Sequence, residues 1–131
     1  MTDQTLTIRQ MCDLFDVTPR ALRFYEAKEL LFPVRQGTRR LFTKADRARL
    51  TLILRGKRFG FSLEEIRQLL DLWEGGRGRA TQLAATCDVA ERHLKEMEER
   101  RDALDAAISE LRGQLDWGRA ELAKAGKASA A

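Results

Sequence analysis

Residues 18–42, TPRALRFYEAKELLFPVRQGTRRLF, decide the fold: a sharply capped helix runs straight into a short arginine-rich hairpin. Thr18 offers a capping hydroxyl, and Pro19 takes the first helical position, where its missing N–H leaves nothing unsatisfied. Val17 and Leu22 have the spacing of a hydrophobic staple across that cap. Leu22 and Tyr25 point inward, while Arg20 and Arg23, three apart, share a neighbouring face. Tyr25 is expected half in the core and half at the surface, its hydroxyl free to meet a phosphate.

The flanking segments fit around this stretch. Upstream, Ile8, Met11, Cys12 and Phe15 follow the i, i+3, i+4, i+7 pattern of an amphipathic helix. Two short helices joined by residues 16–18 make a helix-turn-helix whose second helix is the reader. Downstream, Leu31, Phe32 and Val34 form an apolar run, Pro33 confines it to an edge, and Gln36-Gly37 supplies the turn. Arg35, Arg39 and Arg40 flank that turn, and their planar guanidiniums match phosphate oxygens. Thr7 and Arg9 open the first helix, where free N–H groups favour an anion. The candidate DNA contacts are therefore Thr7, Arg9, Thr18, Pro19, Arg20, Arg23, Tyr25, Arg35, Arg39 and Arg40.

Leu6-Thr7-Ile8, Thr18-Pro19-Arg20, Arg23-Phe24-Tyr25-Glu26 and Arg39-Arg40-Leu41-Phe42 together resemble the MerR family of bacterial transcription regulators. The run from Leu54 to Ile66, LRGKRFGFSLEEI, belongs to the same ordered pattern. Within that family the chain is most similar to the LiuR-like branch, which controls branched-chain amino-acid and fatty-acid catabolism. The resemblance implies a winged helix-turn-helix with a short β-hairpin wing, followed by a long dimerisation helix paired antiparallel. It also implies a homodimer that bends and untwists a promoter, with RNA polymerase and a small-molecule effector as further partners. Two positions depart from the family. Glu29 stands where glycine is usual, and a left-handed cap there would cost a non-glycine residue about 1 kcal/mol, so a different helix ending is expected. Phe42 replaces a usual tyrosine and removes its hydroxyl.

The 131 residues suffice for one or two small domains. No apolar run reaches membrane-spanning length and no leader is visible, so a soluble cytoplasmic protein is expected. Residues 1–61 carry 13 Lys/Arg against 6 Asp/Glu, and residues 62–131 carry 11 against 14. A basic head joined to a mildly acidic remainder is the footprint of a nucleic-acid module attached to something else.

Beyond the wing, Thr43 with Asp46 and Ser62 with Glu65 read as capping boxes for two more helices. Leu50, Ile53 and Leu54 give the first its buried face, leaving Arg47, Arg49, Arg55, Lys57 and Arg58 for solvent or phosphate. Leu63, Ile66, Leu70 and Trp73 mark the second. A glycine-rich interruption at 75–79 reads as a hinge. After it, Leu83, Cys87, Ala90, Leu94, Met97, Arg101, Leu104, Ile108, Leu111 and Leu115 are spaced 4-3-4-3-4-3-4-3-4. So narrow a stripe on a helix of about 35 residues has nowhere to bury itself except on a partner, hence a coiled coil. The heptads leave its direction open. The plan is thus a mainly α chain: a DNA-binding domain at 1–74, a hinge at 75–79, a dimerisation helix at 80–117 and a disordered tail at 118–131.

The remaining chemistry is sparse. Cys12 and Cys87 fit no metal or disulfide framework, and a lone seam cysteine is most simply a small hydrophobe. His93 is the single histidine, and no nucleophile–base pair, carboxylate pair or phosphate-cradling loop can be assembled, so no enzymatic role, cofactor or metal is expected. An effector would have to bind between coil and reading head, near Trp73 or Trp117, since the residues after Trp117 are too few for a ligand domain, though both tryptophans read first as packing residues. Two functions compete: a homodimeric regulator reading an inverted repeat in duplex promoter DNA, and a coiled-coil adaptor whose basic head holds DNA without sequence preference.

Overall fold

Thr7 joins sheet to helix. The computed structural model describes residues 4–75 and 78–130. Strand β1 (Leu6–Thr7) leads directly into helix α1 (Ile8–Phe15). The Thr7 hydroxyl accepts the Gln10 N–H at 3.2 Å, and the Gln10 side chain accepts the Thr7 N–H at 2.8 Å. Asp16 ends α1 at φ 54°, a left-handed conformation that a short polar side chain tolerates. Helix α2 (Pro19–Ala27) opens on Thr18, whose hydroxyl accepts the Ala21 N–H at 3.1 Å.

The end of α2 corrects the expectation for Glu29. That residue adopts φ 59°. Its N–H reaches the Glu26 carbonyl at 2.9 Å and the next N–H, of Leu30, reaches the Tyr25 carbonyl at 2.8 Å. This is the double closure that glycine usually supplies. Arg67 donates to the carbonyls of Lys28 and Glu29, and Leu30 is fully buried, so the surroundings hold the turn against its intrinsic cost.

Strands β2 (Val34–Gln36) and β3 (Arg39–Phe42) form the wing, and β1 pairs on the other side of β3, giving a three-stranded sheet in the order β1-β3-β2. The turn is Gly37-Thr38 rather than Gln36-Gly37: Gln36 stays in the ladder opposite Arg39, and Gly37 takes the positive φ of 64°. The expected apolar run also divides. Leu31 is fully buried while Phe32 and Val34 are 58% and 53% exposed.

Helices α3 (Lys44–Arg58) and α4 (Leu63–Glu74) both open on the expected capping boxes. Met11, Leu22, Tyr25, Leu30, Leu31, Phe42, Leu50, Ile53, Ile66 and Leu70 make one core. Leu72 is buried beyond it, and Trp73, at the next position of α4, is 52% exposed instead of buried. Gly56 lies where α3 and α4 meet: a Cβ there would come within 2.9 Å of Ile66 Cγ1. Arg49 is another correction. It is buried, donates to the Leu30 carbonyl at 2.8 Å, pairs with Glu74 and stacks on the Phe32 ring. A solvent role fails because its stem crosses the core and its head satisfies a buried carbonyl.

Helix α5 runs from Arg79 to Ala130. The disordered tail expected from residue 118 is instead helical, because Ala120, Glu121, Leu122, Ala123 and Lys124 are strong helix formers and the glycines on either side, Gly118 and Gly126, stand singly. Its seam is open: Leu94, Leu104, Leu111 and Leu115 are 54%, 61%, 69% and 48% exposed. Contacts divide the chain into units at residues 1–89 and 90–131. In the expected hinge, Gly75 and Gly78 both take positive φ, and Gly76 and Arg77 lie outside the described residues.

Candidate nucleic-acid interface

The helical part of the site follows from which face α2 spends on the core. Leu22 and Tyr25 are 0% and 4% exposed. Arg20 and Arg23, on the opposite side, are exposed and make no hydrogen bond or ion pair among the described residues. Tyr25 packs its ring as expected, tilted against Phe24 at 5.8 Å, but is 4% exposed rather than half exposed. Thr18 and Pro19 are exposed at the start of α2, with the Thr18 hydroxyl already engaged as a cap. Thr7 is likewise held in its capping box, and Arg9 beside it is exposed.

In the wing, strand pairing sets Arg35 directly opposite Arg40 and Gln36 opposite Arg39. Like charges opposed across a ladder repel. Glu26, on α2, resolves that repulsion. One carboxylate oxygen accepts Arg35 Nε and Nη2 at 3.2 and 2.9 Å, and the other accepts Arg40 Nε at 2.6 Å. Burial pushes the Glu26 carboxyl up, but the hydrogen bonds from Arg40 and then Arg35 outweigh it and hold the group below its ordinary value. The three wing arginines are therefore not equivalent. Arg35 and Arg40 are latched to α2, and Arg39 stands exposed at the hairpin end with no side-chain hydrogen bond or ion pair among the described residues.

Reading the sequence by motif missed Glu26 as a positioning residue. Its signal was the strand register: a hairpin that opposes two arginines needs an anion from elsewhere, and Glu26 is the acid that the reading helix supplies. Asp46 does more than cap α3. It is 2% exposed, and besides closing the Thr43 box it accepts the Phe32 N–H at 2.9 Å, tying the start of α3 to the segment that enters the wing.

Among the described residues no group of His, Cys, Asp and Glu could hold a metal ion, and no helix is long and apolar enough to cross a membrane. Trp73 and Trp117, expected near an effector, are 52% and 65% exposed. An open groove runs elsewhere, lined by Thr18, Arg20, Ala21, Phe24, Lys57 and Phe61.

Comparison with known proteins places these features in company. The family described as "MerR HTH family regulatory protein" matches residues 6–73, and that described as "MerR, DNA binding" matches residues 47–114. The chain is 39% identical over 67 residues to the HTH-type transcriptional regulator ZntR of Escherichia coli K12, a match covering 50% of this chain and 48% of that one. It thus spans about half the length of that relative. It is 33% identical over 113 residues to the mercuric resistance operon regulatory protein of Pseudomonas fluorescens, covering 82% of this chain and 75% of that protein. A solved MerR-family transcriptional regulator from Bacillus cereus superimposes with a TM-score of 0.60 at 31% identity, covering 78% of this chain and 76% of the other.

Proposed function

The chain belongs to the MerR family of DNA-binding transcriptional regulators, and from that premise we propose that it acts as a homodimer on an inverted-repeat promoter site and distorts the DNA it holds. The observation that carries this reading is the Glu26 latch, which joins the reading helix and the wing into one basic surface. Arg20 and Arg23 are the proposed base-edge and backbone contacts of the helix, with Arg9, the caps Thr7 and Thr18, and Pro19 beside them. Arg39 is the proposed open phosphate clamp of the wing, and Arg35 and Arg40 act from their latched positions. Tyr25 contributes by packing.

Two-fold symmetry follows from the seam of α5, whose exposed leucines need an apolar partner. In this proposal two antiparallel copies hold two reading heads at a fixed separation, and the DNA must bend or untwist to meet both. RNA polymerase would then engage the altered promoter. The finer placement in the branch governing branched-chain amino-acid and fatty-acid catabolism belongs to the same proposal, and makes an acyl-CoA or related metabolite the effector of a cytoplasmic regulator. Replacing Leu104 and Ile108 with Asp tests the dimer. The variant should sediment as a monomer and lose specific binding, whereas a monomer that still bound its site with full specificity would refute the two-head arrangement.

A further inference from the structure

The seam of α5 contains one charge, Arg101, and its place in the pattern has a consequence for pairing. We propose that Arg101 selects both the partner and the alignment of this helix: two copies lie antiparallel about Glu99, with Arg101 of each meeting the partner's Glu98. This rests on the homodimer reading above and adds the residue pair that fixes it.

Three observations lead there. First, the seam spacing 4-3-4-3-4-3-4-3-4 reads the same in both directions. Reversing one copy about Glu99 therefore sets every seam residue opposite another: Met97 faces the partner's Arg101, Leu94 the partner's Leu104 and Cys87 the partner's Leu111. A slip of one heptad either carries Leu115 past the end of the partner's seam or sets Cys87 against the partner's Gly118.

Second, Glu98 precedes Arg101 by three residues and so lies on the same side of the seam. In antiparallel helices that side faces its own copy, so the partner's Glu98 falls within about one residue's rise, roughly 1.5 Å along the axis, of Arg101. Symmetry supplies the pair twice, and two arginines alternate with two glutamates. In a parallel pair Arg101 would instead share a closed layer with the partner's Arg101, two like charges with their solvent removed. Met97 opposite is the seam's one long, unbranched apolar side chain, suited to lie along an arginine stem.

Third, Arg101 is unsatisfied by anything stronger than a neighbour in the single chain. Its guanidinium takes Asp102 at 3.0 Å, and the two side chains are 62% and 68% exposed. Such a surface pair exchanges at little cost. A single polar seam position of this kind lowers affinity and raises selectivity, so an unrelated apolar helix would bury Arg101 unpaired and be rejected.

Cross-linking and charge reversal test this with the full-length chain. In a Cys12→Ser background, native Cys87 is the handle, and Leu104→Cys, Leu111→Cys and Gly118→Cys are added one at a time before treatment with a short bismaleimide. Sedimentation is measured first: a monomer would remove the homodimer reading and this proposal with it. Given a dimer, a cross-link confined to Leu111→Cys supports the alignment. Cross-linking of Cys87 alone would establish a parallel pair, and a stronger product from Leu104→Cys or Gly118→Cys a slipped one; either overturns the proposal while leaving the dimer standing. Arg101→Glu and Glu98→Arg should each weaken self-association about tenfold or more, and mixing the two should restore pairing as a heterodimer. Failure of the mixture to recover would remove Arg101 and Glu98 as the selecting pair.

Discussion

Glu26 on α2 holds Arg40 of the wing at 2.6 Å, and the same carboxylate takes Arg35 from the opposite strand. The hairpin register forces those two arginines together, so one acid both relieves their repulsion and fixes the spacing between helix and wing. A positive surface whose parts are held this way presents its charges in a set geometry, which is what separates reading a site from sticking to any polyanion.

Removing the latch should therefore damage selectivity more than affinity. Glu26→Ala raises the positive charge of the head, so binding to random duplex should hold or rise, while the ratio of specific to random binding falls. Stability should drop by about 1 kcal/mol, a modest figure because Arg35 is half exposed to solvent. Competition binding with specific and random duplexes, beside a urea titration, measures both. An unchanged ratio would show that the latch has no part in reading.

Acid should act on the same residue. The Glu26 carboxyl is held below its ordinary value in the folded chain, so its contribution is fully present above the ordinary carboxylate range. It is lost as pH falls through the depressed folded value. Urea midpoints followed from neutral pH downward should decline less steeply for Glu26→Gln than for the parent chain. Parallel curves would contradict the assignment.

Arg39 and Arg40 should separate in their effects. Arg39→Ala removes an exposed side chain without a partner among the described residues. It should lower the salt slope of DNA binding by about one unit and leave the urea midpoint unmoved. Arg40→Ala also breaks the pair to Glu26, and should shift the midpoint as well. Equal behaviour of the two would erase the distinction drawn between an open clamp and a latched one.

Glu29→Gly should stabilise the chain by up to about 1 kcal/mol, since glycine reaches φ 59° without the steric cost that Glu29 bears. Thermal unfolding reads it directly, and a destabilised variant would mean that the surroundings reward glutamate there.

Gly56→Ala should do the reverse. Alanine favours helix by about 1 kcal/mol, but its Cβ would press on the branched, buried side chain of Ile66 at 2.9 Å, and overpacking costs about 1–3 kcal/mol. A net loss in the urea midpoint is expected, and a gain would show that α4 moves away freely.

The helices were legible where local chemistry acts alone. Thr18-Pro19, Thr43 with Asp46 and Ser62 with Glu65 cap where their spacing says they should, and the alternation of Leu22 and Tyr25 with Arg20 and Arg23 is the face that α2 turns inward and outward. What escaped was whatever depends on two distant segments at once. Arg49 resembles its solvent-facing neighbours in sequence, and only the approach of Leu30 and Glu74 draws it inside. Glu26 carries no local mark of its role until the hairpin register opposes Arg35 to Arg40. Glu29 is the opposite case: a local cost of about 1 kcal/mol is legible at that position, but not the helix end, Leu30 and Arg67 that together outweigh it.

The central claim is that two identical heads read two half-sites. Selection of bound duplexes from a random pool by the purified full-length chain, at physiological salt, tests it most directly. Enrichment of an inverted repeat with a constant spacing between its halves is expected. Enrichment of a lone half-site, or of nothing beyond random sequence, would contradict it.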